Sequence, residues 1–244
     1  MIVFDTGFIV RIFPLLLILV CCLGCNSNSS GPAGSYTAGG LTTQTKGTSI
    51  ETAKTIVVLL HGYGAPGSDM VGLEEMIDAG PEAAFVYPVG PFPVGSEGRA
   101  WWEKSGTGFD SSRVQVIELL KEIAKKSPEA KIFVGGFSQG GTLASNLVSA
   151  PEACHLHGVL LFSPSTKLDH PPDAIDLPEV FLSHGKNDQV LPFDGSVHLQ
   201  EIFKSFNCSV TFRPFDEGHT LTVDVMVAAG DFIRRVAQVS PRDQ

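Results

Sequence analysis

Along the body of the chain, short and almost continuously apolar runs alternate with segments whose apolar residues recur every three or four positions. The runs are Thr55 to His61, Ala83 to Pro88, Lys131 to Gly136, His157 to Ser163, Glu179 to Gly185 and Ser209 to Phe215. A strand with one wet face alternates apolar with polar residues, and most of these runs are too continuous for that, which predicts strands covered on both faces. The intervening segments supply the cover. "SSRVQVIELLKEIAKK" carries Val114, Ile117, Leu120 and Ile123 at helical spacing with Ser111 or Ser112 as a candidate cap, and "PFDGSVHLQEIFKSF" and "DVMVAAGDFIRRVAQ" follow the same logic. Strands alternating with helices predict right-handed crossovers and a doubly wound, mostly parallel sheet. "SYTAGGLTTQTKGTSI", ahead of the first long run, is a candidate antiparallel edge.

The pattern breaks down at the N-terminus. "RIFPLLLILVCCLGC" places one cation before an apolar stretch that ends in small residues and cysteines, the order of a signal peptide, and it is too short for a confident membrane span. Gly24-Cys25 is similar to the end of a bacterial lipoprotein signal, which implies a lipidated Cys25 as the first mature residue; a cleaved secretory signal is the alternative. Residues 26–50 then read as a small, polar tether with the possible edge strand, and 51–240 as the folded domain. The location implied is extracytoplasmic, held to a membrane through lipid.

Composition and charge exclude more than they establish. The 244 residues suit one sizeable core, and a net charge of -9 without any Lys/Arg cluster argues against a nucleic-acid partner. Outside the leader only Cys154 and Cys208 remain, too few for a disulfide framework, and whether they pair is open. "CHLH" at Cys154 to His157 has no second ligand cluster at matching spacing, so no metal is expected.

Candidate chemistry centres on "FVGGFSQGG". Gly136-Phe137-Ser138-Gln139-Gly140 is a G-x-S-x-G between a predicted strand and a predicted helix, the context in which a sharp turn exposes a serine hydroxyl. Such a serine needs a base, and the base an orienting acid. Of seven histidines, His219 in "FDEGHTL" is the one both downstream of the serine and at the carboxyl end of a strand. Asp188 in "SHGKNDQVLP" is the candidate acid, Asp216 a local alternative, and Asp194 a candidate cap. Glycines in "LLHGYGAPGSD" let backbone approach a ligand, so the amides of Tyr63 and Gln139 are candidate oxyanion donors. No cofactor is called for.

Together "LLHGYGAPGSD", "GRAWW", "GGFSQGG", "HGKNDQVLP" and "EGHTL" resemble the phospholipase/carboxylesterase branch of the α/β-hydrolases, which includes acyl-protein thioesterases and small bacterial carboxylesterases. The resemblance runs from Thr55 to Val236. It implies an α/β-hydrolase fold, nucleophile Ser138, acid Asp188, base His219 and oxyanion amides at Tyr63 and Gln139. It also places Trp101 and Trp102 at the substrate cleft, with core packing as the other reading. The segment between Phe162 and Glu179 is too short for a cap domain, so an open site acting on small ester substrates is expected, with a hydrolase fold used only for binding as the opposing reading.

Overall fold

Each of the six apolar runs forms a strand, and the helical segments between them form helices. The computed structural model describes residues 34–148, 150, 155–169 and 177–238. In chain order these hold β1 (Gly34–Ala38), β2 (Leu41–Gly47), β3 (Thr55–Leu60), β4 (Ala83–Pro88), β5 (Phe92–Val94), β6 (Gly98–Ala100), α1 (Phe109–Lys126), β7 (Lys131–Phe137), α2 (Gln139–Ser145), β8 (Gly158–Phe162), β9 (Glu179–Gly185), α3 (Phe193–Ser205), β10 (Val210–Phe215) and α4 (Val223–Gln238). The leader, Cys25 and the start of the tether lie outside the described residues, as do Cys154 and His170.

Eight strands make one sheet in the order β1-β2-β4-β3-β7-β8-β9-β10. From β4 to β10 every neighbouring pair is parallel. The segment expected at the edge closes the sheet as the antiparallel β1–β2 hairpin, with β2 antiparallel to β4. Its two-residue turn, Gly39-Gly40, has φ of 57° and 74°, and a side chain on Gly39 would meet the Gln115 carbonyl at 2.3 Å, so the turn needs glycine on both counts.

Why the strands read as unbroken apolar runs is visible in the two cores they serve. Ile56, Val58 and Leu60 of β3 point to one face with Ile132, Val134, Val159, Leu161, Val180 and Leu182, where they meet Ile117, Leu120 and Ile123 of α1, Leu143 of α2, and Leu199 and Phe203 of α3. Val57, Leu59, Phe133, Leu160, Phe162 and Phe181 point to the other, under Val225, Met226, Ala229, Phe232 and Ile233 of α4. Side chains alternate across a strand, so a sheet buried on both faces must be apolar at every position. Among the described residues no cap domain covers the carboxyl ends of the strands.

Three expectations are corrected. The buried stripe of α1 runs through Phe109, Val116, Ile117, Leu119, Leu120 and Ile123, while Val114 is 54% exposed. Neither Ser111 nor Ser112 caps that helix; Gly108 occupies the N-cap, and the buried Ser112 hydroxyl donates to the Trp101 carbonyl. At α3 the N-cap is Pro192, so Asp194 lies in the first turn, where its charge suits the positive end of the helix dipole. Cys208 is a buried free thiol that donates to the Pro178 carbonyl and is pushed up to about 11 by burial, which removes its reactivity at neutral pH.

Candidate active site

Ser138 occupies the turn between β7 and α2 with φ 54° and ψ -114°, a conformation sparsely populated by non-glycine residues. Its surroundings hold it there. The Ser138 amide donates to the Phe162 carbonyl at 2.9 Å, and its own carbonyl accepts from the Thr142 amide at 2.9 Å and the Thr142 hydroxyl at 3.0 Å. The flanking glycines are steric necessities. A Cβ on Gly140 would sit 2.1 Å from the Leu60 carbonyl oxygen, and one on Gly136 would lie 2.5 Å from the backbone of Gly140. The turn closes only because strand and helix meet backbone to backbone.

Asp188 follows β9 and His219 follows β10, and parallel neighbours bring the two loops to the same end of the sheet. Loop contact is close: a Cβ on Gly185 would fall 2.2 Å from the Gly218 oxygen, and the Asn187 amide donates to the Glu217 carbonyl at 3.0 Å. Across this seam the His219 Nδ1 lies 2.6 Å from Asp188 Oδ2, with no exposed surface on the Asp188 side chain. The other oxygen, Oδ1, accepts from the amides of Val190 at 2.8 Å and Leu191 at 2.9 Å. Burial pushes the Asp188 carboxyl up, but the Leu191 amide, the His219 hydrogen bond and the Val190 amide outweigh it and hold the group below its ordinary range. The His219 ring lies 4.7 Å from that of Phe137, the residue before Ser138. Asp216, the local alternative, instead faces solvent and pairs with Lys186 at 2.7 Å.

The loop after β3 runs beside the serine, since a Cβ on Gly62 would lie 3.6 Å from Ser138 Cβ. This carries Tyr63 to the site, 41% exposed with Lys104 Nζ 5.5 Å from its ring centroid. The Gln139 amide is the first of α2 and has no acceptor within its helix. The helix N-terminus thus sets the Gln139 amide beside Ser138, and the loop after β3 brings Tyr63 next to the same serine.

Several supports escape the sequence patterns. The short β5–β6 hairpin, too short to show in the hydropathy pattern, braces the loop: the Gly64 amide donates to the Arg99 carbonyl and the Arg99 amide to the Ala65 carbonyl, both at 2.8 Å. His61 is wholly buried; its Nε2 accepts from the Gly90 amide at 2.9 Å, so its proton is on Nδ1, which donates to the Gly62 carbonyl at 2.7 Å. The Gln139 side chain clamps the tryptophan segment, accepting from the Trp101 amide at 2.8 Å and donating to the Trp102 carbonyl at 2.9 Å. Of the two tryptophans expected at the cleft, Trp101 is fully buried and ties the segment after β6 to the end of β3 through an indole hydrogen bond to the His61 carbonyl at 2.9 Å, whereas Trp102 is half-buried against Phe109. Short hairpins and side-chain clamps leave no periodic trace in a sequence.

Three histidines are kept neutral by burial: His61, His184, and His157, whose Nδ1 accepts from the Ile132 amide and which burial and Lys131 push down to about 4. An unfolded histidine titrates near about 6.5. Above that pH neither state holds the extra proton; below it the unfolded chain binds protons that the folded chain refuses. Stability is therefore present above about pH 6.5 and is lost as pH falls toward about 4, with the depressed Asp188 carboxyl acting in the same direction. Thermal unfolding followed from pH 8 to pH 4.5 is expected to show a Tm that falls below about pH 6.5, and a flat profile would contradict the neutral buried imidazoles.

The family model for phospholipases and carboxylesterases matches residues 47–237. Acyl-protein thioesterase 1 of Eremothecium gossypii is 30% identical over 211 residues, covering 75% of this chain and 88% of that protein. Among solved structures, a Bacillus cereus carboxylesterase (TM-score 0.65, 23% identity, 80% of this chain and 94% of that one) and Zea mays acyl-protein thioesterase 2 (TM-score 0.67, 21% identity, 80% and 98%) share the fold.

Proposed function

Because the chain belongs to the phospholipase/carboxylesterase family of α/β-hydrolases, we propose that it is a serine esterase that cleaves carboxylic esters of short to medium acyl chains through an acyl-enzyme on Ser138. The observation that carries this reading is the buried Asp188–His219 pair at 2.6 Å, delivered beside the strained Ser138 turn by the contact of His219 with Phe137. His219 takes the serine proton as the hydroxyl attacks the acyl carbonyl, and Asp188 holds the imidazole with its proton on Nδ1. The amides of Tyr63 and Gln139 receive the developing oxyanion, and His219 then protonates the leaving alkoxide. Water, deprotonated by the same imidazole, releases the acid. The similarity to the Eremothecium thioesterase favours a second substrate class, acyl thioesters, which the same steps would open.

Without a cap, little of a long acyl chain is buried, and each methylene left in water forgoes about 0.8 kcal/mol of binding. On a panel of p-nitrophenyl esters, kcat/KM is expected to be highest between about C2 and C8 and to exceed turnover of emulsified triglycerides. A rising preference for long chains with activation at the oil–water interface would refute the open site. Adding acyl thioesters of matched length to the panel decides between the two substrate classes.

We further propose that the enzyme is displayed outside the cytoplasm through lipid on Cys25, from the apolar leader ending in Gly24-Cys25. One acyl chain binds membranes only marginally, so firm anchoring needs more than one on that cysteine. Metabolic labelling with an alkyne fatty acid is expected to tag the wild type and to spare Cys25→Ser. Equal labelling of both would place the lipid elsewhere than Cys25, and no label on either would leave secretion without an anchor as the better account.

A further inference from the structure

Asp188 has a second histidine on it. His184, in β9, is wholly buried, and its Nε2 stands 3.1 Å from Asp188 Oδ2 and 3.0 Å from the Leu191 carbonyl oxygen, while its Nδ1 stands 2.7 Å from the Ser196 hydroxyl of α3. Nε2 thus faces two groups that only accept, so it carries the proton. Burial keeps the ring neutral, hence Nδ1 accepts, and the buried Ser196 hydroxyl is its donor. The carboxylate is then filled: Oδ1 takes the amides of Val190 and Leu191, and Oδ2 takes His219 and His184. A carboxylate has about four acceptor sites, so it has no freedom left to rotate.

From this geometry we propose that His184 is a positioning residue for Asp188, set in its Nε2-protonated form by Ser196, so that the array runs Ser196, His184, Asp188, His219, Ser138. It rests on the reading of the last three as the catalytic array. His184 holds Oδ2 in the plane of the His219 ring and shares its electron density. The groups around the His184 ring are Asp188 and Leu191 of the following loop, His219 across the seam, and Ser196 and Phe193 of α3, the last edge-on at 6.0 Å.

His184→Leu removes the donor, and His184→Gln returns an N–H near the position of Nε2. With p-nitrophenyl butyrate, His184→Leu is expected to lose about 10²-fold in kcat with little change in KM, the scale of a misaligned reacting group. Its acid limb in kcat/KM should move to higher pH, because an Oδ2 relieved of one donor holds the His219 imidazolium more strongly. His184→Gln should restore most of kcat and the wild-type limb. Ser196→Ala, which keeps the ring and removes one hydroxyl, reads the same quantity should His184→Leu fold poorly, with a kcat loss of about tenfold expected. Wild-type kcat and pH limb in His184→Leu and Ser196→Ala would overturn the proposal, as would equal losses in the Leu and Gln variants that simply follow their Tm. A wild type that neither turns over ester nor reacts with a fluorophosphonate would instead overturn the catalytic reading beneath it.

Discussion

Ser138→Ala is expected to leave a folded protein whose kcat on p-nitrophenyl esters is lower by about 10⁵- to 10⁶-fold, the scale seen when a nucleophile acting as one unit with its base is removed. The fold should survive because what holds the turn is backbone: the Ser138 amide to Phe162, its carbonyl to Thr142, and the glycines that let α2 meet β3. Mass spectrometry after fluorophosphonate treatment should find the adduct on Ser138 in the wild type and none in the variant. An adduct elsewhere, or unchanged turnover, would sink the assignment of the nucleophile.

Asp188→Asn is the sharper test, because it changes one atom. Oδ1 of Asp188 accepts from two amides, so an asparagine must turn its oxygen toward Val190 and Leu191. The amide NH₂ then faces His219 Nδ1, which must accept, and the ring proton moves to Nε2, where it cannot take the proton of Ser138. The same NH₂ meets the N–H of His184, donor against donor. A loss of about 10⁴-fold in kcat is expected, the scale of a wrong tautomer, with KM little altered. The variant should also lose stability, since His184 keeps the Leu191 carbonyl but the asparagine N–H that faces it has no acceptor. Near wild-type kcat in Asp188→Asn would show that another carboxylate orients the base, and Asp216→Asn would then be the variant to compare.

Metal removal separates this chemistry from an alternative of another kind. Every step above is carried by Ser138, Asp188, His219 and backbone amides, so EDTA is expected to leave turnover unchanged, which the same ester assay reads directly.

Much of this was legible in the chain itself, because it depends on neighbours within a few residues. Five of the parallel-sheet strands announced themselves as apolar runs because both their faces are buried, whereas β10, at the sheet edge, carries Thr211, Arg213 and Pro214 and stays half exposed. The serine turn was legible because three glycines in six residues answer a local steric demand. Tertiary structure decided whatever depended on how elements dock. Asp216 stands three residues from His219 and Asp188 thirty-one, yet it is the loop after β9 that reaches its Nδ1, while Asp216 points to water. The α1 stripe turned away from Val114 because the docking angle on the sheet, not the spacing, chooses which side of a broad apolar surface is buried. Trp101 went inside because Gln139 and the His61 carbonyl claim its polar groups there, and His184 joined Asp188 because Ser196, from a helix beyond it, turns its ring. Such hydrogen bonds join residues far apart in the chain, and residue type alone does not say which donor will meet which acceptor until packing has removed the water between them.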